Sequence, residues 1–129
     1  MKDIPEDKLI KFIQSGSSFI CNPPVTNTDI DYVIFVTNKI EVCDHLTSNG
    51  WTFCGNEAYN NPDNDFLATR NENINYILVD DEPTFDQWEA ATLLAKQRNL
   101  LKKEERVALF RNIFKGQGKT PCKLGQEMV

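Results

Sequence analysis

The pattern of apolar positions predicts a strand most clearly over residues 30–36, IDYVIFV, where β-branched and aromatic side chains dominate. The uninterrupted apolar run 32–36 predicts that this strand is covered on both faces. Upstream, residues 5–14 fit two structures equally well. Their apolar positions line either one face of a helix or a strand that follows one short helical turn. Gly16, within SGSS, ends the segment in both cases, and residues 21–29 form a polar loop.

Short strands and helices follow one another along the rest of the chain. The pattern predicts, in order, a helix over 40–49 capped at Thr37-Asn38 and ended by Gly50, a strand over 51–54, an exposed loop over 55–65, a hairpin of strands 66–70 and 74–79 with its turn at Asn71-Glu72, a helix from a Thr84 cap to Gln97, and a helix over 103–114.

That order of elements predicts an α/β (α+β) protein with a small mixed sheet of about four to five strands and helices packed on it. Residues 1–115 are expected to form a single domain, and residues 116–129 a flexible tail. Aromatic and aliphatic side chains at helical spacing in 84–97 and 103–114 are expected to be core residues rather than a ligand-binding set.

Composition agrees with a soluble globular protein, since 40% of the 129 residues are hydrophobic and 26% are charged. No apolar stretch reaches the length of a membrane span, and the acidic N-terminus lacks the apolar core of a signal peptide, so we expect a cytoplasmic protein without a membrane partner. The four cysteines form no C-x-x-C pair and the only histidine is His45. This spacing favours reduced thiols over a zinc site or a disulfide framework.

Charge is divided unevenly along the chain. Residues 1–95 carry 5 Lys/Arg and 16 Asp/Glu, a balance of −11, whereas residues 96–129 carry 9 and 3, a balance of +6. The formal net charge of −5 therefore hides an acidic body and a basic C-terminal segment. That segment is either a solvated helix face or a surface that binds phosphate or polyanion.

Two short motifs carry candidate chemistry. Asp29 and Asp31 flank Ile30 at the start of the clearest strand, where alternation directs both carboxylates to one face. Two adjacent carboxylates repel each other unless a cation lies between them, and Mg²⁺ is commonly held by one or two carboxylates plus substrate phosphates. Twelve residues before Asp29, the turn Gly16-Ser17-Ser18 offers backbone N–H groups and hydroxyls that suit a phosphate group.

In this order, the run SGSS…TNTDIDYVIFV resembles the signature of the DNA polymerase beta-like nucleotidyltransferase superfamily. The later stretch NINYILVDDEPTFDQWEAATLLAKQRNLLKKEERVALF is similar to the C-terminal half of small phage-encoded members. The resemblance covers roughly residues 10–115 and implies a nucleotidyltransferase-like core. It would place the protein in the cytoplasm of the host if it is phage-encoded.

The resemblance also implies roles for individual residues. Gly16, Ser17 and Ser18 would bind the phosphates of a nucleoside triphosphate, and Asp29 and Asp31 would bind two Mg²⁺ ions. The third carboxylate of the family falls at Asn75, whose neutral amide oxygen can ligate Mg²⁺ but adds no charge. Basic residues of the last helices, Lys96 and Arg106 in particular, would hold the triphosphate, a nucleic-acid acceptor or a host protein.

Asn75 and the Cys21-Asn22-Pro23-Pro24 sequence depart from the family pattern, so two hypotheses stand side by side. The first is an Mg²⁺-dependent enzyme that transfers a nucleoside monophosphate to a hydroxyl, with Asp80 or Asp81 replacing the missing acid if the strand bends. The second is a catalytically degenerate module that binds a nucleotide or a host protein without turnover. A partner subunit or a homodimer would supply an acceptor-binding surface. A third alternative is an unrelated small interaction protein.

Overall fold

A computed structural model describes residues 1–21, 29–55, 66–100 and 102–116. A 3-10 turn at Glu6–Lys8 precedes the first strand. The strands are β1 (Leu9–Ser15), β2 (Ile30–Val36), β3 (Thr52–Gly55), β4 (Leu67–Asn71) and β5 (Ile74–Val79), and the helices are α1 (Ser17–Ile20), α2 (Lys39–Ser48), α3 (Glu82–Gln97) and α4 (Lys103–Gly116).

The strands form one five-stranded mixed sheet in the order β1-β2-β5-β4-β3. β1 runs antiparallel to β2, β2 parallel to β5, and β5 antiparallel to β4, which in turn pairs antiparallel with β3. The predicted α+β class with a small mixed sheet is therefore confirmed. The parallel pair β2–β5 lies at its centre, and the segment between the two strands, which includes α2, β3 and β4, provides the crossover that parallel pairing requires.

Strand alternation separates two apolar clusters, one on each face of the sheet. Val33 of β2 faces α3 and α4 and packs with Trp88 and Phe110. Its neighbour Ile34 faces the opposite side, where α2 and the ring of Trp51 cover it. Because both faces are buried, β2 reads as a continuous apolar run, as its sequence indicates.

Most predicted boundaries agree with the structure to within one or two residues. Residues 5–14 adopt the second of their two alternatives, a strand after one short helical turn. Asn38 caps α2 by accepting from the Glu41 backbone N–H at 3.0 Å. Two local predictions are wrong: Asp81 rather than Thr84 caps α3, and the hairpin turn lies at residues 72–73 because Asn71 already pairs with Ile74.

Several predicted segments lie outside the described residues: most of the loop 21–29, most of the loop 55–65, and all of the tail after Gly116 with Cys122. Within the described part of the chain, no helix is both long enough and apolar enough to cross a membrane.

Candidate functional site

A row of polar side chains crosses four strands at one end of the sheet. Strand pairing places Ser15 beside Asp31, Asp31 beside Asn75, and Asn75 beside Arg70. Directly paired residues project from the same face, here the face that α3 covers. Ser15 fixes the end of β1 against this helix, since its buried Oγ lies 2.8 Å from Thr92 Oγ1. The row is thus polar, whereas its neighbours two residues along the same strands, Ile13, Val33, Ile77 and Ala68, pack against the apolar cluster of this face.

Asn75 and Arg70 hold the two carboxylates. Asn75 Nδ2 donates to Asp31 Oδ1 at 2.7 Å and lies 3.4 Å from Asp29 Oδ2. Arg70 donates through both terminal nitrogens to Asp29, at 2.7 Å and 3.0 Å, in the two-pronged geometry that suits a guanidinium and a carboxylate. All three predicted site residues of the strands, Asp29, Asp31 and Asn75, therefore come together.

Gly16 completes the cluster from the end of β1. Its φ of +75° lies in the left-handed region, and a Cβ atom at this position would overlap the carboxylate of Asp31. The Gly16 carbonyl accepts from the N–H groups of Phe19 and Ile20, so the helical turn α1 begins immediately after it. The predicted small-residue turn thus lies directly against Asp31 of the predicted acidic pair, and the backbone of Ser17 and Ser18 opens α1.

The site raises the pKa of Asp31 above its ordinary value of 3.8. Burial is the largest cause, because it disfavours the charged carboxylate, and the charge of Asp29 adds to it. The hydrogen bond from Asn75 and the charge of Arg70 act in the opposite direction. Any further positive charge placed beside Asp31 would therefore stabilise its ionised form.

The donor chemistry of this cluster fits Mg²⁺, which prefers carboxylate and amide oxygens. Asp29 and Asp31 would hold the ion, and Asn75 would add Oδ1 after rotation of its amide. Among the described residues, no group of three or more His, Cys, Asp or Glu side chains is placed to bind a metal. The cluster differs from such a group because its third member is an amide.

The predicted phosphate-binding cations Lys96 and Arg106 lie at the other end of α1. Lys96 Nζ donates to the Phe19 carbonyl at 2.8 Å and stands 4.4 Å from the centre of the Phe19 ring. Arg106 donates to the Leu100 carbonyl at 3.0 Å and to Cys21 Sγ at 3.4 Å. Both residues thus fasten helices to the segment that follows Gly16, and these contacts do not include the acidic pair.

Asp80 and Asp81, considered as replacements for the missing third acid if the strand bends, do not lie beside Asn75. They follow the carboxyl end of β5, whereas Asn75 lies near its amino end. Asp80 accepts from the backbone N–H and the Nζ of Lys39, both at 3.0 Å, and Asp81 accepts from the N–H of Thr84 at 3.0 Å and from its hydroxyl at 2.8 Å. Both acids therefore have structural roles at helix N-termini.

Arg70 is the functional candidate that the sequence analysis missed. It is the only arginine before Arg98, and it lies on the strand that forms a hairpin with the Asn75 strand. With the turn placed one residue early, Asn75 would pair with residue 68 instead of residue 70. An isolated arginine in an acidic segment, on the same face as two aspartates, was the signal that could have identified it.

The thiols give no competing site in the described part of the chain. Cys21, Cys43 and Cys54 are free. Burial and the charge of Asp44 raise the pKa of the Cys43 thiol, so it is less reactive than an ordinary cysteine. His45, two residues along α2, is exposed. For these three cysteines, the arrangement agrees with the expectation of reduced thiols.

Comparison with protein-family models, curated proteins and solved structures finds no match to this chain. The geometry of its own residues is therefore the basis for a function.

Proposed function

We propose that this protein is a nucleotidyltransferase-like enzyme that binds Mg²⁺ and a nucleoside triphosphate, transfers the nucleoside monophosphate to a hydroxyl acceptor and releases pyrophosphate. One observation carries the proposal: the Asp31 carboxylate lies against the Cβ-free face of Gly16, and Asn75 Nδ2 lies within hydrogen-bonding distance of both Asp31 and Asp29. Two carboxylates beside a left-handed glycine turn form a place where a cation and a phosphate group can meet.

Each residue has a definable task in this reaction. Gly16 allows the Asp31 carboxylate to lie against the turn, because a Cβ atom would overlap it, and the backbone N–H groups of the turn would bind the phosphate. Asn75 orients Asp31, and Asp29 and Asp31 would hold the metal. When bound, Mg²⁺ supplies charge neutralisation of the phosphate oxygens and lowers the pKa of the attacking hydroxyl.

The first experiment measures transfer directly. The full chain is incubated with α-labelled ATP or GTP, Mg²⁺, and bacterial RNA and protein as the acceptor pool. We expect label transfer that is lost in Asp29→Asn and in Asp31→Asn, since each change removes a metal-binding charge. Asp86→Asn, an exposed acid of α3, is the matched control and should leave transfer unchanged. Transfer that survives both site substitutions contradicts the proposal.

A second candidate function, nucleotide binding without turnover, is favoured by the partners of the acids. Asn75 supplies a hydrogen-bond donor where catalysis needs a third negative charge, and Arg70 neutralises Asp29. This function would give thermal stabilisation by Mg²⁺ and ATP with no consumption of ATP. Turnover gained in Asn75→Asp would then identify the missing carboxylate as the cause. We also propose that the basic C-terminal helices bind a protein or a nucleic acid, and that the chain forms a homodimer.

A further inference from the structure

The ion pair between Arg70 and Asp29 occupies oxygens that a metal ion would need, so the role inferred for Arg70 rests on the proposed function. We propose that Arg70 is the internal counterion of the site: it holds Asp29 until a divalent cation replaces it, and it then binds the phosphate of the incoming nucleotide.

The geometry supplies the first half of this exchange. Arg70 uses both terminal nitrogens on the two oxygens of Asp29, which are the atoms that a metal would need. The side chains of Arg70 and Asp29 are 44% and 35% exposed, so separating them buries no unpaired charge. A metal ion therefore competes with Arg70 for Asp29 at modest cost.

A third hydrogen bond keeps Arg70 at the rim of the site during the exchange. Its Nε donates to the Glu72 carbonyl at 2.9 Å. Glu72 occupies the two-residue turn with a left-handed φ of 57°, a conformation that non-glycine residues adopt at some cost. This bond does not involve Asp29. The guanidinium can therefore break its hydrogen bonds to the Asp29 carboxylate and still remain next to the site. A guanidinium presents five N–H donors in a planar fork that also matches phosphate geometry.

The charges of the site couple the binding of the metal ion at Asp29 to the binding of the phosphate by Arg70. Asp29, Asp31 and Arg70 sum to −1, so without a metal ion the site repels a triphosphate. One divalent ion changes the local sum to +1 and frees the guanidinium at the same time. Metal and nucleotide should therefore bind with positive coupling, the metal first or together with the nucleotide.

The test is calorimetric titration of the full chain with Mn²⁺ alone, and with ATP in the presence and absence of Mn²⁺. In Arg70→Ala we expect Mn²⁺ alone to bind about threefold to fivefold more tightly, the scale of one exposed ion pair. ATP in the presence of Mn²⁺ should bind about tenfold more weakly, because a charged hydrogen-bonding partner is lost. Arg70→Lys keeps the positive charge but loses the planar guanidinium. Its affinities for Mn²⁺ and for ATP should lie between those of wild type and Arg70→Ala.

Lys8→Ala is the matched control, since it removes another partly exposed cation from a carboxylate, that of Glu41 at 3.0 Å on the α2 side. It should change neither titration. Arg70→Ala that binds Mn²⁺ no more tightly than wild type, or ATP no more weakly, overturns the role of Arg70. Loss of Mn²⁺ binding in Asp31→Asn would still support the proposed function in that case. If neither wild type nor Arg70→Ala binds Mn²⁺, both proposals are wrong.

Discussion

The parallel strands β2 and β5 carry a pair of acids at each end, and the two pairs differ in what neutralises them. At the carboxyl end, Asp80 and Asp81 accept from backbone N–H groups at the starts of α2 and α3. At the amino end, Asp29 and Asp31 have only side-chain donors, Arg70 and Asn75, among the described residues. Backbone donors are fixed by the fold, whereas side chains can rotate away. The first pair thus stabilises the fold, whereas the second pair would, under the proposed function, exchange its side-chain partners for a metal ion.

Replacement of Asp81 should have the largest effect on stability. Asp81→Ala removes the cap of α3 together with the carboxylate that accepts from the buried Thr84 hydroxyl. We expect a loss of about 1–2 kcal/mol in the free energy of unfolding, measured by urea denaturation. Asp81→Asn retains a capping oxygen and should restore most of the loss. A variant Asp81→Ala as stable as wild type would refute the structural role of this acid.

Replacement of Asp80 should cost about 1 kcal/mol, since its partner Lys39 is only 15% exposed. A double-mutant cycle of Asp80→Ala with Lys39→Ala isolates the side-chain ion pair from the backbone hydrogen bond. We expect a favourable coupling, and nucleotide binding unchanged in either variant. A coupling energy near zero would mean that the backbone N–H alone holds Asp80.

Replacement of Asp31 should change the free energy of unfolding in the opposite direction. Because its pKa is raised in the folded protein, protonation favours folding, and the ionised carboxylate destabilises the fold at neutral pH. Asp31→Asn should therefore raise the free energy of unfolding at pH 7, by less than the Asp81 effect. The difference should shrink as the pH falls and close below the ordinary value of 3.8, where the group is protonated in both states. Thermal melts from pH 3 to 8 measure it, and a difference independent of pH would mean that burial of the charged carboxylate is not its cause.

Asp29 should have the smallest effect on stability. Its ion pair with Arg70 is partly exposed, and such pairs contribute about 0–1 kcal/mol. We expect Asp29→Asn to change the free energy of unfolding by less than about 0.5 kcal/mol, and the proposed function also predicts that Asp29→Asn abolishes Mn²⁺ binding. Parallel urea denaturation and Mn²⁺ titration test both statements. A destabilisation as large as that of Asp81→Ala would place Asp29 with the structural acids.

The sequence predicted the strands whose two faces are buried and the acids at the start of β2, because alternation and β-branched composition are local signals. Arg70 and the fates of Asp80 and Asp81 depended on contacts between distant segments. Asp80 meets Lys39 across 41 residues, and Arg70 meets Asn75 only if the turn is placed correctly. A displacement of one residue in the turn shifts pairing by two, which no local pattern reports.

The contact between Gly16 and Asp31 restricts which substitutions residue 16 can accept during evolution. A side chain at residue 16 meets two obstacles, a left-handed backbone and the carboxylate of residue 31. A smaller residue at 31 would remove only the second obstacle, so the glycine can outlast the acid but the acid cannot outlast the glycine. In any descendant of this chain that keeps Asp31, residue 16 should therefore still be glycine.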